Sequence, residues 1–200
     1  MNIQAAVPVK LEHGARMDLA TFEEVYNAML EEWPRYELHN GVVVELPPPE
    51  HDHNISGSFL IEYLGRYLGD NPIGIAYYEV GVKALGESKN NYFIADIAYF
   101  SFARFPKRTD GRRYYGVGSP DIVVEIDSPG KEIAFKVSDY LKGGSRLVWV
   151  IYPKARQIYI YRADGTYLIL DGQGVLDGSD VLPGFQLDLA TFWERVERAE

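Results

Sequence analysis

The amino-acid sequence predicts a mixed α/β fold, α+β in the make-up of its sheet, with flanking helices and added hairpins. Three observations carry this reading. Apolar residues recur at helical spacing in four separate stretches. Two turn signals, Asn40-Gly41 and Asp164-Gly165, each lie between β-rich runs. Leu147-Val148-Trp149-Val150-Ile151-Tyr152 is apolar on both faces, the pattern of a central strand covered on both sides. A chain of 200 residues suits one core better than two. We therefore divide it into a loosely held N-terminal arm, 1–18, and a single domain, 19–200.

The elements follow in order. Thr21 and Glu24 form a capping-box pattern ahead of Phe22, Val25, Tyr26, Met29, Leu30 and Trp33, and Pro34 ends that helix. Tyr36–His39 and Val42–Leu46 then make a hairpin about Asn40-Gly41, broken by Pro47, Pro48 and Pro49. A second helix over 54–68 carries Phe59, Leu60, Tyr63, Leu64, Tyr67 and Leu68, with Gly69 placed to cap it. Strands are expected over 74–85 and 92–100, then a long connection over 101–118. A short helix over 132–142 stops at Gly143-Gly144, the strands 157–162 and 166–170 form a second hairpin, and a last helix shows Leu189, Phe192, Trp193 and Val196 on one face.

Composition narrows the function classes. The chain is 46% hydrophobic and 24% charged, which is ordinary for a soluble globular protein. It has no cysteine, so disulfides and thiolate metal sites are excluded. The first residues lack an apolar signal region and no run reaches membrane-spanning length, so the expectation is a cytoplasmic protein with no membrane partner. A net charge of -9 argues against nonspecific coating of nucleic acid, but not against carboxylates that hold a cation. There is no Gly-rich phosphate loop, no G-x-S-x-G and no H-E-x-x-H.

The chemistry-bearing residues cluster around the strand pattern at 119–129. Asp121, Val123, Glu125 and Asp127 alternate with Ile122, Val124 and Ile126, so the carboxylates share one face, either solvated or gathered about a cation. Asp96 stands alone in the apolar run Phe93-Ile94-Ala95-Asp96-Ile97-Ala98-Tyr99-Phe100, where burial requires a partner or an ion. Taken with Glu125 on a neighbouring strand, it suggests a site for a hard divalent ion. On the following helix, Ile133, Ala134, Val137 and Leu141 form the apolar stripe, with Lys136 at its edge and Tyr140 one turn on. Lys136 either reaches back toward Glu125 or snorkels outward, while Lys131 and Lys142 are expected in solvent. His51 and His53 read as surface residues ahead of a helix, and Glu37 by itself as an exposed glutamate.

In this order, Tyr36-Glu37-Leu38 with Gly41, the prolines at 47–49, His53, the lone Asp96, Pro120-Asp121-Ile122-Val123-Val124-Glu125, Ser128-Pro129, Lys136 with Tyr140 and Gly144, Trp149, Pro153 and Leu182-Pro183-Gly184-Phe185 form one pattern. It resembles the Uma-two family of restriction-endonuclease-like proteins, in the PD-(D/E)XK nuclease superfamily, over residues 19–193. The resemblance implies a restriction-endonuclease-like core. It makes Asp96 and Glu125 the metal-binding carboxylates and Lys136 the catalytic lysine moved onto the next helix. Glu37, His53 and Tyr140 become supporting polar positions. Asp121, although part of a literal Pro-Asp pair, only opens the strand. Asp127 departs from the pattern, standing where the family more often has an apolar residue.

The expected function is a nuclease that uses Mg²⁺ or Mn²⁺ to hydrolyse phosphodiester bonds in nucleic acid, DNA above all, with homodimerisation left open. The alternative is a catalytically silent nuclease-fold module that binds protein or nucleic acid. The connection over 101–118 stands out in this acidic chain. It carries Arg104, Lys107, Arg108, Arg112 and Arg113 among Phe102, Phe105, Tyr114 and Tyr115, a mixture suited to phosphate contact and base stacking. It is expected to hang beside the metal site or, alternatively, to be a solvated loop that aids solubility.

Overall fold

Helix and strand fall close to where side-chain periodicity puts them, and the departures have local causes. The computed structural model describes residues 10–29, 35–83, 90–106, 118–129 and 131–199. Helix α1 (Leu19–Ala28) is capped by Asp18, which accepts from the Thr21 amide at 2.8 Å. The cap is thus Asp18 and not the expected Thr21, since an aspartate three residues before that amide satisfies it directly. Leu30, Trp33 and Pro34 lie outside the described residues. The hairpin of β1 (Arg35–His39) and β2 (Val42–Leu46) turns through Asn40 and Gly41, both at positive φ, as a two-residue turn requires.

The arm expected to be loose is tied down over its described part. Leu11 is fully buried, Gly14 and Val43 bond through the backbone, and Arg16 bridges Val42 beside β2. Helix α2 (His51–Asp70) begins three residues earlier than expected, directly after the proline run. Prolines 47–49 cannot donate to a helix, so Glu50 becomes its cap residue.

The central sheet is built from β3 (Gly74–Val82), β4 (Phe93–Ser101), β5 (Ile122–Ile126), β6 (Leu147–Tyr152), β7 (Gln157–Arg162) and β8 (Tyr167–Leu170), in that spatial order. Among the described residues only β5 and β6 pair in parallel, and helix α3 (Ile133–Lys142) lies between them in the chain. A further hairpin, β9 (Val175–Gly178) with β10 (Leu182–Asp188), leads into α4 (Leu189–Glu197). Sequence periodicity gave no strands there. The register shifts between Leu182 and Gln186, with Gly184 at positive φ, so the two-residue alternation is broken.

Strand β5 is buried on both faces. Ile122, Val124 and Ile126 pack with Leu60 and Leu64 of α2 and with Phe192 and Trp193 of α4. Val123 packs on the other side with Ile133, Val137 and Tyr140 of α3. The face expected to be either solvated or cation-bound is therefore interior, and its carboxylates must find partners there. Asp127, past the end of the strand, is the exposed one. A third cluster joins α1 and the first hairpin to Tyr92 and Ile94 at the start of β4. Among the described residues, no helix is long and apolar enough to cross a membrane.

Candidate active site

The β4–β5 ladder pairs Ile97 with Val124, so Asp96 and Glu125 stand one step further along, near the carboxyl end of β5. The ladder stops there. The Ile126 amide donates to the Asp96 carboxylate instead of to a strand carbonyl. A carboxylate thus replaces a main-chain acceptor at the place where two parallel strands, β5 and β6, end, the usual location of ligand sites in such sheets.

Around this pair runs a row of alternating charges. His39 Nε2 meets Glu37 Oε2 at 2.6 Å, and Lys136 Nζ lies 2.8 Å from Glu37 Oε1 and 2.7 Å from Glu125 Oε1. Lys131 Nζ lies 2.9 Å from Glu125 Oε2 and 2.6 Å from Asp96 Oδ2. His53 Nε2 is 3.3 Å from Asp96 Oδ1, and its Nδ1 is 3.0 Å from Ser128 Oγ. The Tyr140 hydroxyl donates to Glu125 Oε1 at 2.8 Å. Glu37 comes within reach because β1 bonds Tyr92 through Leu38, and Glu37 Oε1 then accepts from the Ile94 amide at 2.7 Å.

These contacts set the protonation states. Burial pushes the Glu37 carboxyl up, but Lys136 and His39 outweigh it and hold the pKa at about 2. Burial is likewise outweighed at Asp96, where Lys131 and then His53 hold the carboxyl well below its usual range. Both ammoniums are disfavoured by burial, yet Glu125 raises each above the ordinary lysine value, assisted by Asp96 at Lys131 and by Glu37 at Lys136. Burial and the neighbouring Glu125 carry the Tyr140 hydroxyl far above its normal value, so Tyr140 acts as a donor and not as a base. Glu37 and Asp96 are thus held as carboxylates, and Lys131 and Lys136 as ammoniums, by their counter-charges.

The structure brings together Asp96, Glu125, Lys136, Glu37, His53 and Tyr140. Two of these were misread as single residues. Glu37 is almost wholly buried and not exposed, because the hairpin lays it against Ile94. His53 is also buried, on the first turn of α2, while His51 beside it is exposed. Gly57 lies four residues on, on the same helix face. A Cβ there would sit 2.9 Å from the Tyr78 ring, so the missing side chain lets α2 come close enough for His53 to reach Asp96.

Lys131 is the correction that matters most. It was expected in solvent on the far side of a helix, but α3 begins only at Ile133, so helical spacing does not govern residue 131. Its side chain folds inward over the strand ends. Glu79 was also missed. The β3–β4 register sets it opposite Asp96 with φ 48, a conformation uncommon outside glycine, and its carboxylate pairs with Arg35 at 2.7 Å. A small cavity of about 60 Å³ opens between them, lined by Arg35, Glu79, His53, Asp96, Ser128 and Lys131.

The basic connection is rooted elsewhere. It leaves β4 at Ser101 and returns through Ser119 to the end of β5 away from Glu125, where Ile122 lies about 10 Å from Glu125 along the strand. Arg104 binds the buried Asp121 at 2.9 Å and donates toward the Ser119 carbonyl. Lys107, Arg108, Arg112 and Arg113 lie outside the described residues.

The donors suit a hard divalent ion. Asp96 Oδ2, Glu125 Oε2 and the Ile126 carbonyl all face one position, occupied by Lys131 Nζ. Glu125 Oε2 is buried and faces the Lys131 ammonium at 2.9 Å. Among the described residues no group of three or more histidine, aspartate or glutamate side chains is arranged about an ion. Two carboxylates with water suffice for Mg²⁺, which keeps much of its hydration.

Comparison with known proteins bears on what such a site serves. A family model described as "Uma2: Putative restriction endonuclease" matches residues 20–190. A solved structure from Anabaena variabilis, described as a "putative nuclease belonging to DUF820", aligns with a TM-score of 0.73 and 18% identity, over 85% of this chain and 97% of that one. At that identity the likeness concerns the fold. No curated protein matches the chain.

Proposed function

The chain belongs to the Uma2 family of restriction-endonuclease-type proteins, and on that premise we propose that it is a divalent-metal-dependent nuclease cleaving phosphodiester bonds, with DNA as substrate. One observation carries the reading: Asp96 and Glu125, buried on neighbouring strands, direct oxygens at a single cation position beside an open cleft. A bound Mg²⁺ or Mn²⁺ would polarise a phosphodiester oxygen and make water more acidic there.

The chain's own groups would do the rest. Asp96 and Glu125, with the Ile126 carbonyl, hold the ion. His53 and the Ile126 amide orient Asp96, so that its oxygens keep their aim. Lys136 and Tyr140 both engage Oε1 of Glu125, which leaves Oε2 for the ion. Lys136 is only 1% exposed and is fixed between two carboxylates, so we assign it a positioning role rather than contact with the substrate. Lys131 and Arg35 both line the cleft and would meet an incoming phosphate there.

The test is cleavage of supercoiled plasmid, single-stranded DNA and RNA with Mn²⁺, Mg²⁺ or EDTA. DNA cleavage that needs the ion and falls at least about a hundredfold in Asp96→Asn and Glu125→Gln is expected. Equal cleavage in EDTA, or by either variant, overturns the proposal. The basic segment enters as a DNA contact: Arg108, Arg112 and Arg113 changed together to glutamate should weaken binding and flatten its salt dependence. A silent binding module is the second reading, favoured by the ammonium of Lys131 standing where an ion would. DNA binding without cleavage under any of these conditions would establish it.

A further inference from the structure

Lys131 does more than neutralise the site. Its Nζ lies 2.6 Å from Asp96 Oδ2, 2.9 Å from Glu125 Oε2 and 3.3 Å from the Ile126 carbonyl. These are the three oxygens that would ligate a divalent ion. A ligated Mg²⁺ sits about 2.1 Å from its oxygens, so ion and ammonium cannot share the position. The other lysine of the cluster is different: Lys136 holds Glu37 and the opposite oxygen of Glu125, and no ion needs that place.

An exit lies next to the position. A cavity of about 380 Å³ adjoins it, with Lys131 on its wall together with Glu50, Asp52 and Asp127. Lys154 also lines this cavity and pairs with Glu50 at 3.1 Å. Asp127 follows Ile126 directly and is exposed, two residues along the chain from Glu125. The lysine chain is long and rotatable, and it springs from the connection before α3, not from the helix itself. A swing of this chain toward Asp127 would exchange one set of carboxylates for the other, with an incoming ion neutralising the set it leaves.

We propose that Lys131 is a tethered cation that fills the Asp96–Glu125 position and yields it to a divalent ion by moving into the Asp127 cavity. The proposal rests on the divalent-ion reading above and adds to it an exchange step: one ammonium out, one ion in. Asp127, an oddity in the sequence pattern, then acts as the receiving group. The exchange lowers the apparent affinity for the ion by the fraction of time the position is free. It also keeps the buried carboxylates neutralised when the ion is absent.

Calorimetric titration of the full chain with Mn²⁺ tests this, comparing wild type with Lys131→Met, Asp127→Asn and the double variant. Lys131→Met should bind Mn²⁺ about tenfold or more tightly than wild type, because its competitor is gone. Asp127→Asn should bind more weakly, and that loss should vanish in the Lys131→Met background. Lys131→Met binding no more tightly than wild type overturns the exchange while leaving the divalent-ion reading intact. An Asp127→Asn loss that persists in the double variant overturns the role of Asp127. No binding by any of the proteins overturns the divalent-ion reading and the exchange with it. Should Lys131→Met fail to fold, nitrogen-15 spectra of the wild-type lysine ammoniums decide. Saturating Mg²⁺ should abolish the solvent-protected Lys131 signal and spare that of Lys136. Persistence of the Lys131 signal overturns the proposal.

Discussion

The two ends of β5 each bury a carboxylate against a cation, and they do it differently. At the start of the strand, Asp121 is closed off. Its Oδ2 accepts from the Ser101 amide at 2.8 Å and its Oδ1 from Arg104 at 2.9 Å, so both oxygens are spent. At the finish, Glu125 gives Oε1 to Lys136 and Tyr140, while its Oε2 faces the ammonium of Lys131 at 2.9 Å. The cation facing that oxygen is a lysine, a rotatable point charge, where the other end uses the planar fork of an arginine. A carboxylate that only supports the fold is saturated by rigid donors. On the reading proposed above, Glu125 keeps that oxygen for an ion, and Lys131 covers it.

The largest expected effect comes from breaking the open end. Lys136→Met leaves Glu37 and Glu125 buried without their shared counter-charge and should cost about 3–5 kcal/mol in urea unfolding. Adding Glu37→Gln should restore part of that loss. No recovery would mean that Lys136 acts mainly by packing.

Next comes the pH dependence of the same cluster. The Glu37 carboxyl is held at about 2, against an ordinary value of 4.5. A depressed folded-state pKa adds stability that is present in full above the unfolded value and lost as pH falls through the folded one. The contribution, on the order of a few kcal/mol, should therefore be complete above about 4.5 and fade toward about 2. Urea midpoints of wild type and Glu37→Gln should differ most at neutral pH and converge in acid. A constant gap would contradict the assignment.

The closed end should prove milder and indifferent to metal. Asp121→Asn loses the charge facing Arg104, at about 1–3 kcal/mol, and should leave Mn²⁺ affinity as it was. A changed affinity would show that the two ends are coupled through the strand. Smallest of all is Arg104→Lys, which keeps the charge and gives up the fork. It should cost about 1 kcal/mol. A cost equal to that of Arg104→Ala would mean that the fork geometry, not the charge, is what Asp121 requires.

Much of this was legible in the chain itself. Asn40-Gly41 specifies its hairpin because few residues tolerate positive φ at two successive positions, and Leu147–Tyr152 is apolar enough to fix a central strand. Asp96 in an apolar run, Glu125 one strand over and Lys136 at a stripe edge could be picked out because a buried charge needs a partner. Periodicity did not locate those partners, and only the family resemblance marked Glu37, His53 and Tyr140. Glu37 and His53 look unremarkable in sequence, since their burial depends on a hairpin and a helix start docking from far along the chain. Lys131 was assigned to solvent because helical spacing was extended past the true start of α3, and no local rule says which way a long side chain leaves a loop. Local propensity and periodicity decide which segments become strands and helices. Where a flexible charged side chain ends up is decided by the charges that distant segments bring to it, and only the tertiary structure assembles those.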